Sequence, residues 1–278
     1  MKANQHRYTV AALCRCLGIS RHYAYYQCKT TTQKLIAHYA DKILTIVKRS
    51  YQSYGSRRIC IALQAGISVS RRYIARVMKS LSLVSKYTIK RYRGYQTANN
   101  SAVTANHLQR QFDVGSKQQI IVADLTYIRV NLCWNYLCVL LNLSNRQIAG
   151  YSVGQHKTAD LVMSALSQIK QPLLSLHLFH SDRGKEFDNQ LLDKCFDRFN
   201  IQRSLSKKEY PYDNAVAEAI FKSIKTEFVK GEKFMTNGEL EQAFAAYAYW
   251  YNHKRLHSSL GYLPEVEFNK RLPFNFVV

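Results

Sequence analysis

Residues 1–112 carry 20 Lys and Arg and a single carboxylate, Asp41, whereas residues 113–278 carry 20 Lys and Arg against 17 Asp and Glu. The net charge is +19 on the first part and +3 on the second. A chain divided in this way must fold its first part as a body that faces a polyanion, while the second can stand as an ordinary globule. The basic part is patterned: Leu, Ile, Val and Tyr recur through it with helical spacing. In the whole chain 47% of residues are hydrophobic, with 11 Gly and 4 Pro, a composition able to bury real cores. At about 100–200 residues per domain, 278 residues predict roughly two domains. A nucleic acid is the expected polyanion, and an anionic membrane surface is the weaker alternative because no isolated basic amphipathic tail stands out. No apolar run approaches the ~20 residues of a membrane span, and Met1 to His6 is not a secretory signal, so no membrane role is expected. Seven cysteines without a CxxC pair fit reduced thiols in the cytoplasm.

The basic part reads as small helices. Val10, Leu13, Cys14 and Leu17 precede Gly18, after which Ser20 is placed to cap a second helix, the punctuation of a helix-turn-helix. Gln33 to Tyr51 forms a longer helix. A second, clearer helix-turn-helix follows: Ile59 and Leu63 on its first helix, a turn at residues 65–69, and a helix capped by Ser70 with Ile74, Val77, Met78 and Leu81 on one face. The opposite face carries Arg71, Arg72, Arg76 and Lys79, placed for phosphates or base edges. The alternative is a plain three-helix bundle with a basic surface. The predicted divisions are 1–30 and 31–84 for the two helix-turn-helix regions, 85–112 for a basic linker, and 113–278 for a second domain with a C-terminal helical extension.

In that second domain, strands are predicted at 119–130, 136–143, 147–153 and 176–179, and helices from Thr158, Asn189, Asp213 and Glu239. Three consecutive strands, a helix, a further strand and more helices describe an α/β fold with a mixed sheet, ribonuclease H-like, preceded by the all-α region.

Asp124 interrupts an apolar strand, where an acid is costly unless paired or metal-bound. Asp182 follows the end of another strand, and Glu218 lies on a helix beside the buried stripe Ala217, Phe221, Ile224 and Phe228. Each acid alone has a structural reading, as a turn, an Asx-turn or a solvated helix residue. Together, with 57 and 35 residues between them, they form an oxygen-donor set for divalent cations.

These acids and their flanks resemble the Asp-Asp-35-Glu core of retroviral integrases and bacterial insertion-sequence transposases, and most closely the second-reading-frame (OrfB) transposase proteins. The strings are ADLTYI around Asp124, HSDRGKEF around Asp182, YPYDNAVAEAIFKSIKTE around Glu218, and YWYNHKRLHSSLGYLPEVEF at 249–268; YGSRRI at 54–59 and SRRYIARVMKSLSL at 70–83 resemble the family's helix-turn-helix. The resemblance implies a divalent-metal-dependent transposase that cleaves DNA and transfers a strand to it by attack of a 3′-hydroxyl. Asp124, Asp182 and Glu218 would then hold two Mg2+ ions, with Mn2+ as a substitute. It implies a DNA-binding role for Arg57 and Arg58 beside the helix-face cations, and a grip on the DNA end by Lys222 and Lys225, which follow Glu218 by four and seven residues. Those two lysines also have a reading as solvated partners of Glu218 or Glu227. Arg255 and His257 have two open roles, DNA contact or a C-terminal clamp; Asn214 is read as a helix cap, with a phosphate at the exposed amide ends of that helix as the other reading. The implied partners are DNA, as element ends and target, further copies of the chain on paired ends, and an upstream-frame (OrfA) protein, free or as a frameshift fusion. The implied location is the bacterial cytoplasm, at the nucleoid.

The chain departs from the family pattern at Val122, where Trp is usual, at Asn142, where Asp is common, and at Glu209 or Tyr210, where Gly is expected. Alternative readings are a DNA-binding regulator or a catalytically decayed copy, and a ribonuclease H-type nuclease, which the helix-turn-helix region argues against. Zinc is not expected, since Cys14, Cys16, His22 and Cys28 match no common finger spacing. His180 is read either as a proton-transfer aid or as a packed strand-end residue.

Overall fold

The structure, a computed structural model, describes residues 7–22, 31–63, 69–88, 119–206 and 215–271. Cys28, the turn at 64–68, residues 89–112, Glu209, Tyr210 and Asn214 lie outside them. The chain forms two compact units, Met1–Thr45 and Ile46–Val278.

In the first unit, helix α1 (Val10–Leu17) begins where the Thr9 hydroxyl accepts the Ala12 N–H at 3.3 Å and ends at Gly18, φ +62°. Helix α2 (Thr31–Arg49) runs across the division. Helices α3 (Ser56–Leu63) and α4 (Arg71–Ser80) belong to the second unit. Ser70 caps α4 by accepting the Tyr73 N–H, Ile74, Val77 and Met78 are buried, and Arg71, Arg72, Arg76 and Lys79 are exposed.

Residues 85–88, expected at the start of a linker, are instead packed down. The Ser85 hydroxyl donates to Ser53 O at 2.7 Å and Lys86 N–H to Gln52 O at 2.9 Å. Lys86 Nζ donates to Glu227 O at 3.0 Å, and the Tyr87 hydroxyl to Glu227 Oε1 at 2.7 Å. Tyr51 and Tyr54 meet Trp250 with ring centroids 4.9 and 6.3 Å apart. The α3–α4 pair is therefore continuous with the sheet domain, because a basic surface does not stop a polar hydrogen-bonded segment and two aromatics from docking.

The five-stranded sheet has the order β3-β2-β1-β4-β5, from β1 (Gln119–Val130), β2 (Cys133–Asn142), β3 (Ile148–Gly154), β4 (Leu176–Ser181) and β5 (Gln202–Leu205). The first three are antiparallel; β4 runs parallel to β1, and β5 to β4. This is the ribonuclease H-like arrangement. The short β5 was not predicted, since four residues give too few alternations to read. One face packs Ile121, Ala123, Cys138 and Leu140 against α5 (Ala159–Ser167) and α6 (Gln190–Phe199), through Val162, Ala165 and Phe196. Elsewhere Phe228, Phe244, Tyr247 and Trp250 form an aromatic layer, with Tyr151 meeting Phe244 at 5.0 Å.

Helix α7 (Ala215–Ile224) widens into a π turn over Lys225–Val229, where one regular helix through Glu227 was expected. A π turn inserts a residue into the helical register and is common at functional sites. Helices α8 (Asn237–His253) and α9 (Glu265–Arg271) follow. No described helix is long and apolar enough to cross a membrane.

Candidate active site

Strand pairing brings the first two acids side by side. In the parallel ladder Val122 pairs with His180, and Asp124 and Asp182 each lie two residues further on. Side chains alternate with period two, so Asp124 shares the face of Val122 within β1, and Asp182 follows directly where the parallel β4 ends. The apolar residues of β1 hold that position: Val122 and Ala123 are buried, and Asp124 itself is largely covered. Asp182 Oδ1 accepts the Gly184 N–H at 3.0 Å, closing an Asx-turn, and Asp124 Oδ1 accepts the Leu125 N–H at 2.7 Å.

Burial, and then the neighbouring Asp182 charge, push the Asp124 carboxyl up to about 7. Glu218, exposed on α7, adds to the rise, while the Leu125 N–H and the Lys225 ammonium oppose it. The charges of Asp182, Lys225 and Glu218 thus all act on the Asp124 carboxyl. Among the described residues no group of three or more His, Cys, Asp or Glu side chains is drawn in to hold an ion. The donor chemistry, carboxylate oxygens alone, is the kind a hard divalent cation takes, and the most buried of these acids is disfavoured as an anion first by its burial.

Two further residues border these acids. Lys157 Nζ lies 2.8 Å from the buried Glu186 carboxylate. Burial works against the Lys157 ammonium, but Glu186, with Asp182 and Asp124, outweighs it and raises its pKa. Glu186 lies directly over Gly184, where an added Cβ would meet Oε1 at 2.1 Å. Glu186 falls inside the HSDRGKEF string, which could have pointed to it; nothing local in the sequence marks Lys157.

His180 is fully buried with Nδ1 2.9 Å from the Ser204 hydroxyl oxygen, the packed strand-end residue of the two readings. Lys222 is exposed, and Lys225 places Nζ 5.6 Å from the centre of the Tyr127 ring. Of the two roles open to Arg255, its guanidinium takes the clamp: 6% exposed, it donates through Nε and Nη2 to Glu227 and approaches His257 Nδ1 at 3.1 Å. Glu227, one of the two partners considered for Lys222 and Lys225, is fully buried and receives Arg255.

A groove of about 740 Å³ runs between α3, α4 and the helix that carries Glu218. Its lining includes Arg57, Arg58, Arg71, Arg255 and Ser223 and no carboxylate. Arg58 stacks its guanidinium 5.6 Å from the Tyr54 ring centre. Arg72, Arg76 and Lys79 are exposed on α4 but do not line this groove.

Two departures from the family pattern occupy satisfied places. Val122 is buried in the β1 core. Asn142 is buried with its amide donating to Gln119 Oε1 at 3.2 Å, and its carbonyl oxygen accepts from Ser144 N–H and Oγ at 3.0 and 2.7 Å.

Residues 37–91 match a family described as HTH-like domain, and residues 116–211 and 199–264 match two families each described as integrase core domain. The chain is similar, at 29% identity over 98% of each sequence, to "Transposase InsF for insertion sequence IS3A" of Escherichia coli (strain K12). At 28% identity, over 95% of this chain and 94% of the relative, it is similar to "Putative transposase InsK for insertion sequence element IS150" of the same organism. Among solved structures it is similar to a chain of the simian T-cell lymphotropic virus intasome in complex with PP2A regulatory subunit B56 gamma. The TM-score is 0.49 at 13% identity, over 81% of this chain and 74% of that one.

Proposed function

We propose, from the premise that this chain is an IS3-family, second-frame transposase homologue with an integrase-like core, that it cleaves and rejoins DNA at element ends. The observation that supports the proposal is the parallel pairing of Val122 with His180, two residues before Asp124 and Asp182, with the Asp182 and Glu218 charges acting on the Asp124 carboxyl. Asp124, Asp182 and Glu218 would hold two Mg2+ ions, or Mn2+, which when bound activate an attacking oxygen and stabilise a leaving one in an in-line displacement.

The chain's own residues supply placement. Asp124 is positioned by the β1 core and the Leu125 N–H, Asp182 by its Asx-turn. Lys225 and Lys222 offer positive charge to the phosphates of the DNA end, and the arginine-lined groove takes duplex backbone through Arg57, Arg58 and Arg71, with Arg72, Arg76 and Lys79 on the exposed face of α4. In cleavage, a water oxygen bonds to phosphorus as the bond to the 3′-oxygen breaks and that oxygen takes a proton. In transfer, the freed 3′-hydroxyl attacks a target phosphodiester in the same way. No covalent protein–DNA intermediate forms, so no Ser, Tyr or Cys nucleophile is needed. The proposed partners are paired DNA ends and target, further copies of the chain, and an upstream-frame protein.

The test is cleavage and strand transfer on a labelled element-end duplex with the upstream-frame protein supplied, comparing Mg2+ with EDTA and wild type with Glu218→Gln. Metal-dependent products that vanish in the variant support the reading. Tight binding without products moves the chain to the class of DNA-binding regulators.

A further inference from the structure

The hairpin of β1 and β2 carries two aromatic side chains that a sheet would ordinarily bury. Tyr127 is 60% exposed and Trp134 is 55% exposed. Their ring centroids are 5.1 Å apart and the planes are perpendicular, a favourable edge-to-face contact that leaves much of each ring open to solvent. The register explains the pairing: Tyr127 stands opposite Tyr136 and Arg129 opposite Trp134, so Tyr127 and Trp134 are diagonal neighbours on one face. Val122 is the last β1 residue paired with β4, and the strand continues past it to Val130. The rings therefore stand on the part of the hairpin that extends beyond Asp124, three residues along β1 and, by the alternation of the strand, on the other face from its carboxyl.

Lys225 links the pair to the acids. Its ammonium lies 5.6 Å from the Tyr127 ring centre, a cation–π distance, and its charge acts on Asp124. From residue 125 to residue 159 the chain contains no Asp or Glu, so nothing on this hairpin repels a polyanion.

We propose that Tyr127 and Trp134 form a stacking platform for an unpaired nucleobase at the DNA strand end next to the Asp124 site. The inference rests on the DNA-processing reading above and adds to it the form of the substrate, a terminus opened at its last base pairs. A phosphodiester held beside Asp124 sits at the end of a duplex whose terminal bases must go somewhere when the strand is drawn in. Exposed rings receive any base, because every base offers a π face, and a lysine at the ring edge is placed for the adjoining phosphate. Leu132 and Met235, 78% and 63% exposed, extend the apolar surface at the hairpin tip. A protein partner seated on that tip is the competing occupant, and it does not account for the lysine on the ring.

The experiment uses the full-length chain without added metal and two DNA probes of the same sequence, a blunt duplex and a duplex forked by unpaired nucleotides at one end. The chain has two tryptophans, and Trp250 is 9% exposed, so quenching of tryptophan emission by DNA reports Trp134. The forked duplex quenches and the blunt one does not. Trp134→Leu lowers the forked-to-blunt affinity ratio about tenfold, the loss of roughly one stacked base. Tyr127→Leu lowers it similarly, and Trp134→Phe, which keeps a ring, retains most of it. An unchanged ratio in Trp134→Leu overturns the proposal. So does a loss of self-association in that variant with the ratio intact, which would assign the patch to a second copy. Cleavage by the wild type with Mg2+, measured in parallel, separates the two readings. Cleavage with a flat ratio removes the platform alone, and no cleavage with partner and authentic end present removes the transposase reading.

Discussion

Arg255 meets Glu227 along two edges: Nε lies 3.1 and 3.0 Å from Oε1 and Oε2, and Nη2 lies 2.8 Å from Oε1. The Tyr87 and Tyr247 hydroxyls donate to the same carboxylate at 2.7 and 2.9 Å. Glu227 lies in the π turn that continues the Glu218 helix, so one buried charge joins residues 85–88, that helix and the C-terminal segment. Burial works against the Arg255 charge, and Glu227 outweighs it, holding the guanidinium pKa well above its ordinary value. Glu227→Ala leaves a buried cation unpaired and is expected to cost about 3–5 kcal/mol. In a double-mutant cycle with Arg255→Met, measured by urea unfolding, the two losses fall short of additive by more than about 1 kcal/mol. Additive losses would show that the pair does not act as a unit.

His257 sets a pH dependence. Burial, and then the neighbouring Arg255 charge, push its pKa down to about 3. The folded chain therefore holds it neutral, while the unfolded chain protonates it near 6.5. Its contribution to stability is complete above that value and is lost as pH falls toward 3. The stability advantage of wild type over His257→Gln should shrink by up to about 2 kcal/mol between pH 6.5 and 5. A difference that stays flat across that window would mean the imidazole is not held neutral.

Gly184 gives Glu186 its seat. Because a Cβ there would meet the Glu186 carboxylate, Gly184→Ala should displace that side chain from Lys157. Strand cleavage is expected to fall by up to about a hundredfold, the scale of a 1 Å misplacement beside reacting groups. The thermal midpoint should move little, since the displaced atoms are the end of a flexible side chain. Full cleavage by Gly184→Ala would remove Glu186 and Lys157 from the list of positioning residues.

The arginine groove predicts a salt signature. Arg57→Ala and Arg71→Ala should each reduce the slope of log affinity against log salt by about 1, as loss of one phosphate contact does. Titrations of a blunt duplex at several salt concentrations measure it. A slope equal to that of wild type in both variants would place the duplex elsewhere.

Much of this site is local information. An acid inside the apolar run of β1, another just past β4 and a third beside a helical stripe can each be read from periodicity, because a strand or helix presents its pattern within a few residues. The cap of α4 and the exposure of Arg71, Arg72, Arg76 and Lys79 are legible for the same reason. Arg255 shows the limit: its neighbours in sequence are Lys254, Leu256 and His257, and only the Glu227 carboxylate, 28 residues earlier, makes it a buried clamp. Residues 85–88 look like the start of a polar linker until Gln52, Ser53 and Glu227 receive their hydrogen bonds. Tyr127 and Trp134 have ordinary strand propensity, and they lie where the hairpin runs past its neighbours: β4 pairs β1 only as far as Val122, and β3 pairs β2 only from Tyr136 onward.

The sequence by itself determined the strongly basic and the near-neutral parts, the mixed α/β order and the three candidate acids, since charge and hydrophobic period are properties of short windows. Tertiary structure alone decided that β1 and β4 pair at Val122 and His180, just ahead of Asp124 and Asp182, and that Glu186 pairs with Lys157. It also decided that Glu227 ties the α3–α4 segment to the Glu218 helix. Those relationships join residues far apart in the chain, and they exist only once packing has replaced water around the charges that make them.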